Sequence, residues 1–204
     1  MITPTIPAVA PSFRSGECPF VVGIGGTLRG HSSSETALRC ALDAAAARGA
    51  RTELISAREL VLPMYDAERP DVDAAADLLT AVRAADGLIL ATPGYHGGTS
   101  GLLKNALDYL QELAADPEPY LDGKAVGCIV TAAGWQAGAT TLTALRSVVH
   151  ALRGWPTPLG VVVNSLSDPF GPAGEVQDSK LAMQLDFVGE QVVSFACGRL
   201  GRAG

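Results

Sequence analysis

Five short apolar runs, separated by longer segments with helical spacing, are the feature that most restricts how this chain can fold. The predicted strands cover residues 20–24, 50–56, 87–92, 124–132 and 158–164. The predicted helices cover residues 34–48, 71–85, 102–113, 139–152 and 179–199. Uninterrupted apolar runs indicate strands buried on both faces, as in parallel sheets covered by helices. We therefore predict an α/β three-layer sandwich with a five-stranded parallel sheet in the order 2-1-3-4-5.

Length, charge and cysteine usage limit the classes of partner. The 204 residues, 48% of them apolar, suit a single domain over residues 19–204, preceded by a loose N-terminal arm over residues 1–18. A net charge of −6 argues against nucleic-acid binding, and no apolar run is long enough to cross a membrane. The four cysteines are far apart and form no CxxC pair, so we expect reduced thiols, a cytoplasmic location and no metal site.

Three glycine-rich loops are the candidate functional segments. Ligands of open parallel sheets bind beyond the carboxyl ends of the strands, and glycine lets backbone N–H groups approach a ligand closely. The loops that follow the first, third and fourth predicted strands read GGTLRGHSSSET, PGYHGGTSG and AGWQAGA. We therefore expect the chemistry of the protein to be concentrated in these three segments.

The first loop combines hydroxyl side chains with one arginine at the start of a helix. The N-terminus of a helix offers free N–H groups and partial positive charge, and Arg29 adds a charge-assisted donor, which together suit a phosphate monoester. A second interpretation is a capping box, in which Ser32 and Glu35 satisfy the helix end by themselves. Leu28 stands where the dinucleotide motif GxGxxG requires glycine, and no GK[ST] sequence of a Walker A loop follows.

The second loop has the composition of a wall for a flat heteroaromatic ring. Tyr95 offers an aromatic surface, and the adjacent glycines expose backbone donors for a polar ring edge. Alternatively, Tyr95 packs in the core and His96 is an ordinary turn residue. The helix that follows carries Lys104, Asn105 and Asp108 on one face, either solvated or in a helix–helix contact.

The two loops together resemble the NADPH-dependent FMN reductase family, which has a flavodoxin-like fold. The phosphate-loop pattern G-S-x-R-x-x-S of that family is matched here by Gly26, Thr27, Arg29 and Ser32. The ring-loop pattern P-x-Y-x-x-S/T-x-x-G-x-L-K-N-x-L-D is matched by Pro93, Tyr95, Gly101, Leu103, Lys104, Asn105, Leu107 and Asp108. The resemblance extends from about residue 20 to the end of the chain.

The resemblance implies a role for residues in each loop. The FMN phosphate is expected to contact Thr27, Arg29, Ser32, Ser33 and Ser34. The isoalloxazine ring is expected to contact Pro93, Gly94, Tyr95, His96, Gly97 and Thr99. Its pyrimidine side is expected to face Ala133, Gly134 and Trp135, with Trp135 acting either as a lid or as a subunit contact. We expect no catalytic side chains, because the cofactor supplies the redox chemistry and the protein supplies orientation and electrostatics.

The implied activity is hydride transfer from NADPH or NADH to FMN, with small-molecule substrates and a homodimer or homotetramer as the assembly. One use of the product is delivery of reduced FMN to a monooxygenase partner. Two alternatives remain open: an enzyme that keeps FMN bound and reduces a quinone or azo compound, and a flavodoxin-like electron carrier without NAD(P)H activity.

Overall fold

A single parallel sheet forms the centre of the molecule in the computed structural model, which describes residues 18–29 and 32–200. Its strands are β1 (Phe20–Gly25), β2 (Arg51–Ser56), β3 (Gly87–Pro93), β4 (Ala125–Ala132) and β5 (Trp155–Asn164). Neighbouring strands are hydrogen-bonded in the order β2-β1-β3-β4-β5, and every pairing is parallel. The predicted fold class and strand order are confirmed.

Helices cover both faces of the sheet, as the uninterrupted apolar strands require. The α-helices are α1 (Ser33–Ala47), α2 (Ala76–Ala84), α3 (Gly101–Asp108), α4 (Trp135–Ala151) and α5 (Ser179–Leu200). Helices α1 and α5 pack together on one face, and helices α2, α3 and α4 form the second core on the other. All residues of β1, β3 and β4 are buried, because each of these strands has a neighbour on both sides and helices above and below.

Four element boundaries differ from the predicted ones by more than one residue. Helix α3 ends at Asp108 instead of residue 113, and the chain continues as a 3₁₀-helix over Tyr109–Leu113. Strand β5 begins three residues earlier than predicted, at Trp155, since it pairs only with β4 and an edge strand tolerates its two prolines. Helix α2 begins five residues later than predicted, because the Asp71 carboxylate accepts the N–H of Ala74 (3.0 Å) in a turn before the helix. Helix α4 begins four residues earlier, directly after Gly134.

The predicted N-terminal arm lies, except for Cys18, outside the described residues. Within the part of the chain that is described, the helices are all too short or too polar to cross a membrane.

Candidate functional site

The loop after β1 leaves the sheet in close contact with β3. A Cβ atom at Gly25 would lie 2.0 Å from the carbonyl oxygen of Ala91, so only glycine fits this position. The next N–H, that of Gly26, donates to the same carbonyl oxygen (3.2 Å). This contact turns the chain out at the carboxyl edge of the sheet, directly towards the first turn of α1.

The first turn of α1 carries half of the predicted capping box. The Ser32 hydroxyl accepts the N–H of Glu35 (3.3 Å), as predicted. The Glu35 carboxylate instead accepts two bonds from the Arg39 guanidinium, one from Nε (3.1 Å) and one from Nη2 (2.7 Å). Arg39 therefore compensates the negative charge of Glu35, which would otherwise oppose an anion at this helix end.

The hydroxyl groups of this loop point in different directions. Thr27 is half-buried and its Oγ1 accepts the N–H of Arg29 (3.1 Å). Ser33 is partly exposed, whereas Ser34 is buried and its hydroxyl is hydrogen-bonded to that of Thr131 at the end of β4. Thr27 and Ser33 are thus partly exposed, and the Thr27 hydroxyl still has its own proton to donate to a ligand, whereas Ser34 is buried against Thr131.

Arg29 and Ser32 line a cavity of about 550 Å³ that begins at the N-terminus of α1 and runs along the side of the helix to Asp43. Its opposite wall is formed by Pro172, Ala173 and Gly174, which belong to the loop between β5 and α5. Cys40 also lines this cavity, and burial, with a smaller contribution from Asp43, raises the pKa of its thiol. A protonated thiol is a poor nucleophile, so the cavity is suited to binding rather than to covalent chemistry.

The loop after β3 is a tight hairpin turn. Tyr95 and Gly98 exchange two backbone hydrogen bonds, both 3.0 Å long. Between them, His96 and Gly97 both have positive φ values, +52° and +81°, as in a two-residue type I′ turn. Tyr95 is 49% exposed, so its predicted alternative role as a core residue is wrong.

The residues on either side of this turn are fixed by burial and by hydrogen bonds within the protein. Pro93 is the last residue of β3 and is buried, whereas Gly94 and Thr99 are partly exposed. The Thr92 hydroxyl accepts the N–H of Ser100 (2.9 Å), and Ser100 caps α3 through the N–H of Leu103 (3.2 Å). The turn is therefore anchored at both ends, and its tip carries Tyr95 and His96 into solvent.

The loop after β4 adjoins the same turn. Gly134 has a φ of +108°, a value that favours glycine, and its N–H donates to Asn164 Oδ1 (3.1 Å) at the end of β5. Trp135 begins α4 and is 65% exposed. A cavity of about 470 Å³ is lined by Gly97 from the turn together with Ala133, Gly134, Trp135, Gln136, Ala137 and Thr140. The second and third predicted loops thus share one cavity, as their positions on neighbouring strands imply.

The K-N-x-L-D part of the ring-loop motif has a structural role. Lys104 and Asp108 form an exposed ion pair one helical turn apart (2.5 Å). Asn105 is buried, accepts the N–H of Tyr65 (2.9 Å) and donates to the carbonyl oxygens of Leu62 (3.3 Å) and Pro63 (2.9 Å). Asn105 therefore fixes the segment after β2 on α3.

Sequence reasoning missed three contributors to this edge. Thr131 and Asn164 are polar residues at the carboxyl ends of two apolar strands, a position at which they could have been recognised. Residues 172–174 line the cavity beside Arg29 although about 140 positions separate them in sequence, and only the folded arrangement brings them together. The described residues contain no cluster of metal-ligating side chains.

Comparison with solved structures supports the fold. The flavoenzyme NAD(P)H:(acceptor) oxidoreductase FerB from Paracoccus denitrificans superposes with a TM-score of 0.70 at 20% sequence identity. The match covers 87% of this chain and 97% of FerB. At this level of identity the likeness establishes the flavodoxin-like architecture alone.

Curated relatives are more similar in sequence. An NADPH azoreductase from Bacillus sp. (strain OY1-2) is 34% identical over 116 residues, which are 56% of this chain and 62% of the relative. An FMN-dependent NADPH-azoreductase from Staphylococcus aureus (strain USA300) is 35% identical over 121 residues, 58% of this chain and 61% of the relative. The matches thus span about three fifths of the length of these relatives.

The family-level match is the most extensive of the sequence comparisons. The model of the family described as NADPH-dependent FMN reductase matches residues 19–167, well over half of the chain and all three candidate loops. The chain belongs to the NADPH-dependent FMN reductase family.

Proposed function

We propose that this protein is an NAD(P)H-dependent oxidoreductase that uses FMN. The observation that carries the proposal is the position of two complementary loops at one edge of the sheet. The loop of Thr27 and Arg29 offers donors and positive charge at the N-terminus of α1, and the turn of Tyr95 offers an aromatic wall beside a cavity. FMN has the same two parts, an anionic phosphate and a planar ring.

The chemistry of the donor groups fits FMN. Of the residues proposed for the phosphate, Thr27, Arg29 and Ser33 are open to a ligand, and Ser32 lines the adjoining cavity while capping the helix. At the ring end, the first residues of α4 line the second cavity. The start of a helix has N–H groups without a partner in the helix, and such donors suit the oxygen and nitrogen atoms of the pyrimidine edge. Ser34 contributes less than the resemblance implies, because its hydroxyl is bound to Thr131.

The proposed mechanism assigns the redox chemistry to FMN, which accepts hydride when bound, and assigns binding and orientation to the chain. Arg29 and the N-terminus of α1 hold the phosphate and thereby fix the position of the ring. Trp135 lines the cavity and Tyr95 belongs to the turn whose Gly97 lines it, and we assign to these two aromatic side chains the exclusion of water from the ring surface. The N–H groups at the start of α4 stabilise negative charge on the pyrimidine side, as preorganised backbone donors do in other active sites.

The same site suits more than one electron acceptor. Release of reduced FMN to a monooxygenase partner and reduction of a quinone or azo compound by bound FMN both use this site. The names of the two curated relatives favour the second use, since both are azoreductases and one is FMN-dependent. The flavodoxin-like carrier without NAD(P)H activity is the third candidate.

A homodimer or homotetramer and a cytoplasmic location complete the proposal. A groove of about 420 Å³ between α3 and α4, lined by Leu107, Val148 and Leu152 among others, supports the view that α3 lies at a subunit interface. Four unpaired cysteines support a reducing compartment.

The decisive experiment is anaerobic titration of the FMN-loaded protein with NADPH and, separately, NADH. Loss of the absorbance of oxidised flavin with either nucleotide supports the oxidoreductase. Retention of oxidised flavin with both, together with tight FMN binding, contradicts it and supports the electron carrier. Subsequent mixing with free FMN, benzoquinone or an azo dye then identifies the acceptor.

A further inference from the structure

The loop after β4 forms part of the wall of the cavity proposed for the isoalloxazine ring. Ala133 and Gly134 line this cavity together with Gly97 from the turn after β3. A Cβ atom at Gly134 would meet no atom of the described residues within 4 Å, apart from its two neighbours in the chain. The wall is therefore open to a ligand at Gly134, and its position decides how much room a flat ring has.

A side chain from the neighbouring strand holds this wall. The N–H of Gly134 is shared between the carbonyl oxygen of Ala132 (3.0 Å) and Asn164 Oδ1 (3.1 Å) at the end of β5. Asn164 Oδ1 also accepts the N–H of Leu166 (3.1 Å), which begins a short 3₁₀ turn. Because both partners are donors, the amide oxygen of Asn164 and not its nitrogen faces them. One oxygen atom thus links the loop after β4 to the loop after β5.

Asn164 acts from a fixed point of the sheet. It is the last residue of β5 and pairs with Ala132, the last residue of β4. The bond from Gly134 to Ala132 joins groups two positions apart, so it shapes the turn without fixing its direction. The bond to Asn164 comes from the adjacent strand and supplies that direction. Binding sites need such support, because their groups must be held to within roughly 0.5 Å.

We infer that Asn164 is a positioning residue for the flavin ring, an inference that rests on the function proposed above. It acts through Gly134 and fixes the wall of Ala133 and Gly134 relative to Gly97. Its contribution concerns the ring and not the phosphate, so it is the same for FMN and riboflavin.

The test compares two substitutions of Asn164 with a control in the same turn. Asn164→Ala removes the acceptor, whereas Asn164→Asp keeps an oxygen that accepts both N–H groups and adds a negative charge. The control is Ser167→Ala, because the Ser167 hydroxyl donates to the backbone carbonyl of Asn164 (2.8 Å) and has no bond to Gly134. Fluorescence quenching gives the affinities for FMN and riboflavin, and thermal unfolding gives the stability of each apoprotein.

We expect Asn164→Ala to weaken FMN and riboflavin alike by about tenfold, which corresponds to about 1.4 kcal/mol, near the upper end for a single hydrogen bond. Asn164→Asp and Ser167→Ala should retain the affinity of the wild-type protein. Asn164→Ala and Ser167→Ala should have similar melting temperatures, since the Gly134 N–H keeps its bond to Ala132 when Asn164 is replaced.

The reduction potential of the bound flavin provides a measurement that a purely structural role would not change. The flavin is reduced with dithionite beside a reference dye. The potential should be more negative in Asn164→Asp than in the wild-type protein, because the new carboxylate opposes the negative charge that reduction adds to the ring.

Unchanged flavin affinities in Asn164→Ala, or an equal loss in Ser167→Ala, would overturn the inference and leave Asn164 as a residue of the fold. An unchanged potential in Asn164→Asp would overturn it as well, since the ring would then lie away from this loop. These measurements use no nucleotide. A flavin-bound protein that neither NADPH nor NADH reduces would contradict the proposed function, while the affinities still decide the role of Asn164.

Discussion

Arg29 is the residue whose contribution to binding can be separated most cleanly. It is exposed at the mouth of the cavity beside α1, and riboflavin lacks the phosphate that this guanidinium would bind. A hydrogen bond to a charged group contributes about 1.5–3 kcal/mol, so Arg29→Ala should weaken FMN binding by roughly 10–150-fold. Riboflavin affinity should remain nearly unchanged, which titration of both flavins by fluorescence quenching measures.

The matched control for this prediction is Arg48→Ala. Arg48 terminates α1 and is bound to Asp186 (2.7 Å) and Glu190 (3.3 Å) of α5, at the opposite end of the helix. Its removal changes the net charge as Arg29→Ala does and should leave the preference for FMN intact. Equal weakening of FMN and riboflavin by Arg29→Ala would contradict a phosphate contact.

A substitution of Tyr95 can show whether its side chain contacts the flavin ring or packs within the protein. Because the side chain is half exposed at the tip of the turn, Tyr95→Ala should lower the affinity for FMN and riboflavin alike, and the melting temperature of the apoprotein should change little. Isothermal titration and thermal unfolding of the variant measure the two quantities. A large loss of stability with unchanged flavin affinity would show that Tyr95 serves the fold.

For single residues, the sequence indicates which residue types belong to the site better than it indicates where their side chains point. Ser33 and Ser34 are adjacent and chemically identical, yet Ser33 is partly exposed and Ser34 is buried. The apolar periodicity of α1 places Ser34 on the buried face of the helix, but its partner Thr131 is 97 positions away and could be identified only from the structure. The turn at His96 was similarly recognised by its glycines, whereas the positive φ of His96 itself required the structure.

Among the elements, strands were predicted closely where burial is uniform. Strands β1, β3 and β4 are buried throughout, and their apolar runs locate them to within about one residue. Strand β5 is an edge strand with a partly exposed pattern and two prolines. Because prolines are rare in central strands, the sequence did not indicate that its first three residues belong to the strand. The start of α4 was missed because glycine residues in WQAGA suggest a loop, although Gly138 lies inside the helix.

The anchor between α3 and the segment after β2 gives a prediction for an element. Asn105→Ala would leave the N–H of Tyr65 and the carbonyl oxygens of Leu62 and Pro63 without this partner. The carbonyl oxygen of Pro63 keeps the hydrogen bond from the Tyr109 hydroxyl (3.0 Å), but the other two groups lose a partner in a partly buried region, so the free energy of unfolding should fall by about 1–3 kcal/mol. Lys104→Ala, which removes only an exposed ion pair on the same helix, should cost less than about 0.5 kcal/mol. Denaturant unfolding of both variants tests this difference, and equal losses would contradict the anchoring role of Asn105.

For the molecule as a whole, the candidate site follows from topology more than from any single motif. The segments at residues 26–36, 94–100 and 133–137 are distant in sequence, and the parallel order places all of them at the carboxyl edge. The alternation of strands and helices allowed the strand order to be predicted. The strand order in turn predicts that these three loops lie together at one edge of the sheet. The contribution of residues 172–174 to the cavity could not be predicted, because the long connection between β5 and α5 has no periodicity that would indicate its path.

The stability of the whole protein should depend on pH through Tyr65. Burial, followed by the hydrogen bond that its hydroxyl donates to Glu112 (2.8 Å), raises the pKa of Tyr65 to about 12 from 10.0. Between these values the unfolded chain has lost the phenolic proton while the folded protein retains it. The contribution of Tyr65 to stability is therefore complete below pH 10 and is lost as the pH rises towards 12.

Tyr65→Phe isolates this contribution. The variant keeps the aromatic contact with Tyr109 (ring centroids 5.2 Å apart in the wild-type protein) and removes the titrating group. Burial also lowers the pKa of Lys124, an effect of opposite sign at lower pH, but it is common to both proteins and cancels in their difference. The free energy of unfolding, measured by urea denaturation from pH 9 to pH 12, should thus fall more steeply above pH 10 for the wild-type protein than for Tyr65→Phe. Parallel curves for the two proteins would mean that the Tyr65 phenol titrates alike in the folded and unfolded states.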